Sequence, residues 1–263
     1  MLKNYFIKEN IKNHLIYLGY YGSEVTSDIS VKKKRVEVTY NVNLGKRIPI
    51  RDIEYVLPAR GPFAEAFVKD TANMTIKPGD WLSESALDAE TVRSSAVLRN
   101  EGFYSFNKNY YFFEADTLSF PDSAILQLTI NEYTRNESPR DAKPIRKFYI
   151  DDVSITYPKS LKFRNKVLED LTTIYPGQVY SADEINKTYS RLSALKVFSS
   201  VNVGMTQCDT NKVNCSISLA QSKLQGFKVN LESSINSTGL FGISPKISYY
   251  HKNIFRGGEW LNL

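Results

Sequence analysis

Cys208 and Cys215 come nearest, by type and spacing, to residues that could do chemistry in this chain. They bracket the turn-rich stretch Asp209-Thr210-Asn211-Lys212, between alternating runs at Val201 to Gln207 and Val213 to Leu219, a pattern that reads as a hairpin. Thiols on facing strands are within reach of a cross-strand disulfide. Two cysteines confined to one turn of a chain that has no others favour an oxidising compartment, so the expectation is a Cys208–Cys215 bond. Two thiols without a neighbouring histidine supply too few ligands for zinc. His14 and His251 lie far apart, and His14 falls within an amphipathic helical pattern. Asp151 and Asp152 are neighbours in a strand, where side chains alternate between faces, and cannot share a proton as a dyad. No G-x-S-x-G, H-E-x-x-H, P-loop or G-x-G-x-x-G pattern occurs, so no catalytic residue, metal site or cofactor is expected.

The elements around these residues are therefore the more informative layer. The sequence is 42% hydrophobic over 263 residues, enough for cores in one or two domains or in several small modules. Its net charge of +6 would suit an anionic partner, but the charge is dispersed. Only VKKKR, Val31 to Arg35, is dense, and its place between alternating stretches marks a solvated hairpin tip. The 17 tyrosines and 14 phenylalanines sit inside strand-like segments rather than between basic residues, so no base-stacking platform is read and nucleic acid is not an expected partner. No apolar run approaches the roughly 18 to 20 residues of a membrane helix. The opening MLKNYFIKENIKNHLIYLGYYG reads as an amphipathic helix rather than a signal peptide, which fits either a cytoplasmic start or a start inside a longer precursor.

An internal repeat organises the chain. Ile48 to Pro58 and Lys147 to Pro158 are strand patterns with alternating apolar residues, an internal acid and a closing proline. A helical stretch follows each, PFAEAFVKDTANM in one copy and SLKFRNKVLEDLTTIY in the other, where Phe163, Val167 and Leu171 recur every fourth residue. Pro78-Gly79 and Pro176-Gly177, separated by 176 − 78 = 98 residues, then stop that helix. A second helix begins at serine: in SADEINKTYSRLSALKVF, Ser181 and Glu184 form a capping box, and Ile185, Tyr189, Leu192 and Leu195 share a face. Closing hairpins follow, at Asn107 to Thr117 with Ala124 to Tyr133, and at the cysteine pair. The N-terminus reads as a truncated copy, with Ile7, Ile11, Leu15 and Leu18 on one helical face and Gly19 placed like Gly102. Each unit is strand, helix, helix, strand, strand: two helices on a three-stranded sheet.

From Gly226 the pattern changes. Phe227, Val229 and Leu231 alternate with Lys228, Asn230 and Glu232, a second run spans Ile243 to Tyr249, and a third begins at Glu259. Two-faced strands joined by Gly/Asn/Ser turns suit a transmembrane β-barrel.

Tandem modules followed by GLFG and YYHKNIFRGGEWLNL resemble the outer-membrane assembly factors of the BamA and TamA class, whose repeats are polypeptide-transport-associated (POTRA) modules. First barrel strands of that class carry a Gly-rich start and an Asn-Leu/Phe-x-Gly-x-Gly-Glu turn, matched here by Asn253, Phe255, Gly257, Gly258 and Glu259, with Arg256 and adjacent glycines as departures. The resemblance implies an α+β fold: tandem POTRA modules, then the first strands of a barrel. Its parts would be residues 1–46 (the end of a module), 47–135 and 144–223 (complete modules) and 226–263 (barrel strands). Three strands cannot close a barrel, so the chain is expected to be a fragment. The resemblance further implies modules in the periplasm, a barrel in the outer membrane and no enzymatic activity. Expected partners are unfolded outer-membrane client proteins, periplasmic or lipoprotein assembly partners, and outer-membrane lipid. Clients would add as strands to module edges, here at Lys108, Tyr110 and Phe112 and at Val201, Val203 and Met205. Phe227, Val229 and Leu231 would line the barrel seam. Within the class the short array leans towards the TamA-like branch. A two-partner-type secretion pore, or a barrel anchoring a lipid hydrolase encoded upstream, are the alternative readings.

Overall fold

The computed structural model describes residues 2–32, 35–235 and 241–263. Lys33 and Lys34 of the basic run and Gly239 and Leu240 of the GLFG stretch lie outside the described residues. The chain divides into two compact units, Met1–Arg146 and Lys147–Leu263.

In the first unit, α1 (Leu2–Tyr17) precedes an antiparallel hairpin of β1 (Glu24–Lys32) and β2 (Arg35–Asn43). Then come β3 (Ile50–Val56), α2 (Pro62–Thr71), α3 (Glu84–Asn100), β4 (Tyr111–Asp116) and β5 (Ala124–Ile130). The sheet order is β3-β5-β4, with β3 parallel and β4 antiparallel to β5. The last strand in sequence is thus the central one. Its sequence, AILQLTI, alternates strictly, with Ala124, Leu126, Leu128 and Ile130 buried. Against Leu128 and Ile130 pack Phe63 and Phe67 of α2, Leu98 of α3, and Phe103, Phe106 and Tyr111, while Ala124 and Leu126 cluster with Ile50, Ile76 and Leu82. Phe63 meets Phe103 edge-on at 5.1 Å between centroids and Phe106 at 4.8 Å, distances at which aromatic pairs contribute beyond their buried area.

The second unit repeats this plan with β6 (Tyr149–Thr156), α4 (Asn165–Leu171), α5 (Ala182–Ser193), β7 (Phe198–Asp209) and β8 (Lys212–Gln221), in sheet order β6-β8-β7. It then continues into β9 (Gln225–Ile235), β10 (Phe241–His251) and the short β11 (Leu261–Asn262), in order β11-β10-β9. These three strands form an open sheet, not a closed barrel.

The Pro-Gly repeat does not itself end the helix, as expected from sequence, because α2 and α4 already stop at Thr71 and Leu171. In both copies it occupies the centre of a turn closed by an i to i+3 bond, Asp80 N–H to Lys77 C=O at 3.0 Å and Gln178 N–H to Tyr175 C=O at 3.2 Å. The glycines take φ of 97° and 84°, as a type II turn requires at its third residue. The chain leaving each turn clamps the start of the module's first strand. Gly79 and Gly177 donate to Ile50 and Ile150 (2.7 Å each), and Ile50 and Ile150 donate back to Asp80 and Gln178 (2.8 Å each).

The same 98-residue offset relates Thr75 to Thr173 and Glu90 to Thr188, which tie the segment after each module's first helix to its second helix. In the first copy the Thr75 N–H donates to the Glu90 carboxylate at 2.9 Å. In the second the Thr173 N–H donates to the Thr188 hydroxyl at 3.0 Å. The carboxylate version brings company: Arg93 bonds Glu90 (2.6 to 3.1 Å) and reaches Asp70 on α2 with two bonds of 3.0 and 2.8 Å.

Several expectations need correction. The cysteines are free, Cys208 exposed and Cys215 buried. The ladder pairs Cys215 with Met205, while Cys208 is the extra residue of a bulge between Gln207 and Asp209. A bulge leaves its residue without an opposite number, so no cross-strand bond forms and the compartment argument loses that support. Lys108 and Tyr110 are not in a strand, because the Asn107 carboxamide accepts from the Asn109 N–H at 2.9 Å and winds residues 108–110 into a 3-10 turn. Ser181 makes no side-chain cap, and Glu184 pairs with Lys187 at 2.6 Å instead; the capping serine is Ser83, which accepts from the Ala86 N–H. Phe163 precedes α4, so the buried α4 residue is Leu168, and in α5 Thr188 is buried where Tyr189 is 48% exposed.

Burial pushes the Cys215 thiol up to about 11. At pH 8 an unreduced sample should therefore show one fast-reacting thiol, Cys208, and a second that reacts only when the fold opens; denaturation without reductant should release two. The neutral Cys215 contributes stability below about pH 9 that is lost as pH rises through about 11. A titration giving no free thiol in denaturant would restore the disulfide.

Candidate functional site: open edges and a docked turn

β4 is an edge strand, and the structure shows how much of that edge is open. Asn131 N–H donates to the Tyr110 carbonyl, which fixes the alternation of the antiparallel ladder. Even-numbered residues of β4 bond to β5, and Tyr111, Phe113 and Ala115 turn their backbone groups outward. Tyr111 is occupied: its N–H bonds the Lys108 carbonyl, and its own carbonyl accepts from Arg135 Nε at 2.9 Å. Phe113 and Ala115 form the usable rim. Phe112, the one expected edge residue that lies in the strand, meets Tyr133 at a tilt with ring centroids 5.6 Å apart, while Lys108 pairs with Asp88 of α3 at 3.1 Å. A groove of about 640 Å³ runs beside the rim, between α3 (Leu87, Asp88, Thr91) and Phe113, with Tyr17 and Arg135 also in its wall.

β7, the other module edge, is twelve residues long. Val201, Val203 and Met205 are half-buried and pair with Leu219, Ile217 and Cys215 of β8.

The β9–β10 hairpin is two-faced. Phe227, Val229 and Leu231 stand opposite Tyr249, Ile247 and Pro245. The first three are 76%, 63% and 73% exposed and Ile247 is 71% exposed: an uncovered apolar surface. Lys228, Asn230 and Glu232 share the other face with Ser248, Lys246 and Ser244, and Lys246 reaches Glu232 at 2.8 Å.

The residues that sequence marked as a turn are brought together, against the last module. Asn253 is buried and bonds two ways: its Nδ2 donates to the Lys162 carbonyl at 2.9 Å and its Oδ1 accepts from the Gly258 N–H at 3.1 Å. Glu259 accepts from the Phe255 and Gly257 amides, both at 3.1 Å, and from Arg164 at 2.8 Å. Arg164 N–H donates to the Arg256 carbonyl at 2.8 Å. Burial raises the Glu259 carboxyl, but these amide and guanidinium donors more than offset it, so it sits below the ordinary glutamate value. Gly258, at φ 82°, rests on Leu195 and Phe163, and a Cβ there would come 3.1 Å from Leu195 Cδ2. The side chain of Phe255 is 71% exposed and takes no part. Arg135, Lys162 and Arg164 carry no pattern of their own in the sequence, and only the fold shows their roles.

No protein-family model matches the sequence, and no curated protein matches it significantly. Solved structures do match. BamA from Haemophilus ducreyi, in a form lacking POTRA domains 1–3, superposes with a TM-score of 0.58 at 12% identity, covering 82% of this chain and 36% of that one. POTRA3–5 of BamA from Haemophilus influenzae gives 0.50 at 16% identity, covering 81% and 78%. CdiB from Acinetobacter baumannii gives 0.42 at 12% identity, covering 100% and 45%. With the strand orders above, the first two define the class by fold: the chain has the fold of the POTRA-containing proteins of the BamA type. It spans about a third of the length of the first of these structures.

Proposed function

We propose that this chain is the periplasmic and membrane-proximal part of an outer-membrane factor that assembles or translocates β-barrel proteins. The observation that carries this reading is the order of parts: repeated modules with open edges run into a hairpin of eleven-residue strands with one apolar and one polar face. Strands of roughly nine to eleven residues span a bilayer when tilted. The Phe227, Val229 and Leu231 face would meet lipid, and the free edge of β9 would be the seam of the closed barrel. The modules would stand in the periplasm and pair clients as added strands, using backbone bonds that need no particular sequence. No step of this role requires catalysis, a metal or a cofactor; the working parts are backbone edges and a held hairpin.

The edge role is tested by placing a photo-cross-linking residue at Ala115 beside the β4 rim, at Asn202 on β7, and at the exposed Val68 of α2 as control. A denatured outer-membrane barrel protein diluted into the sample should label the two edges several-fold more than Val68. Equal labelling at all three positions would remove the edge reading.

A further inference from the structure

The sheet of the first unit carries an unusual outer face. Register places Glu54, Gln127 and Glu114 in one row across the three strands, and Asp52, Ile125 and Asp116 in the next. All four carboxylates are exposed, and among the described residues none is in an ion pair. Glu114 and Asp116 lie on β4 itself, flanking the rim residue Ala115. On the helix-facing side of the same rim, the groove offers Leu87 and Phe113 beside charges of both signs, Glu84, Asp88, Lys108 and Arg135. A strand added at Phe113 and Ala115 would send alternate side chains to these two sides, one side of mixed polarity and the other acidic without a basic partner.

We propose that the β4 edge selects extended polypeptide segments that carry basic residues at alternate positions. The basic side chains lie beside Glu114 and Asp116, and the intervening ones turn to the groove against α3. The inference rests on the reading of β4 as a client edge and adds the class of segment it takes. Cross-strand pairs of opposite charge favour pairing and like charges oppose it, so the four-carboxylate face both recruits basic strands and repels acidic ones. The selectivity belongs to the first unit. The corresponding outward positions of β7 are Ser200, Asn202, Gly204 and Thr206, which carry no charge.

Three seven-residue peptides test this: alternating Lys and Val, with Ser or Glu replacing Lys in the other two. Amide exchange at Phe113 and Ala115 reports binding at the rim, and anisotropy of the labelled peptide gives affinity. The Lys peptide is expected to bind roughly ten-fold more tightly than the Glu peptide. Bulk attraction to a chain of net charge +6 would give the opposite order, so the sign of the preference is itself diagnostic. Glu114→Lys with Asp116→Lys should invert the order. Glu114→Lys alone, which spares the turn held by the Leu118 N–H to Asp116 bond (2.9 Å), should abolish the preference. If the Ser peptide protects both amides while the Lys and Glu peptides bind alike, or if the order survives charge reversal, the selectivity is overturned and the edge reading stands. If no peptide protects them, both fall.

Discussion

Arg93→Met is expected to lower the unfolding free energy of the first unit by about 3 to 5 kcal/mol, the range for removing one partner of a buried ion pair. Glu90 is 0% exposed and Asp70 is 5% exposed, and both take their cationic partner from Arg93. Methionine fills the volume of the arginine stem but leaves two carboxylates in a desolvated site between α2 and α3. Water outside solvates a carboxylate far better than an apolar helix interface can, and that difference is the penalty. The chain has two tryptophans, Trp81 in the first unit and Trp260 in the second. In a Trp260→Phe background, urea unfolding followed at Trp81 should move its midpoint down by roughly 1 M or more at ordinary slopes. The matching site of the second unit sets the scale. Thr188→Val leaves the Thr173 amide without its acceptor and should cost about 1 to 3 kcal/mol, because a neutral donor is less expensive to strand than a charge. Similar losses for the two variants would mean that water reaches the Asp70–Arg93–Glu90 site.

That contrast shows what a reader of the sequence can and cannot see. The strand and the Pro-Gly pair recur at fixed places because backbone geometry demands them: proline and glycine set a turn that few other pairs can. The bond to the second helix recurs just as faithfully, yet it is made by Glu90 in one copy and Thr188 in the other. Any buried acceptor serves, so no residue type repeats and the connection is invisible until Thr75 and Thr173 are superposed. The hairpins were legible as alternation, but their ends were not. A single carboxamide, Asn107, converts the expected start of β4 into a turn, and a single bulge takes Cys208 out of register with Cys215. Phe163 has helical spacing with Val167 and Leu171, yet it stays outside α4, whose extended N-cap residue Arg164 bonds Arg256, more than ninety residues away. Long-range backbone bonds of this kind leave no trace in local pattern.

The turn that Arg164 meets is where the largest local effect is expected in the second unit. Asn253→Ala removes two bonds at once from a buried site and leaves both the Lys162 carbonyl and the Gly258 N–H unsatisfied. Each stranded group costs about 1 to 3 kcal/mol, comparable with the whole stability of a local opening. The β9–β10 hairpin should consequently loosen from the last module without unfolding it. Exchange of the Arg164 amide, which donates to the Arg256 carbonyl, should accelerate at least ten-fold, while amides of β8 keep their protection. Acid should reproduce part of the effect in the unmodified chain. The Glu259 carboxyl sits below its ordinary value because amides and Arg164 hold its charged form, so its contribution is present above the usual glutamate range and is lost as pH falls through the lowered value. Glu259→Gln should remove that acid-sensitive component while leaving the neutral Asn253 bonds in place. If Asn253→Ala leaves Arg164 exchange unchanged, the turn is merely seated beside the module. If the amide accelerates and β8 does not, then the Asn253 and Glu259 bonds fix where the β9–β10 hairpin stands on the last module.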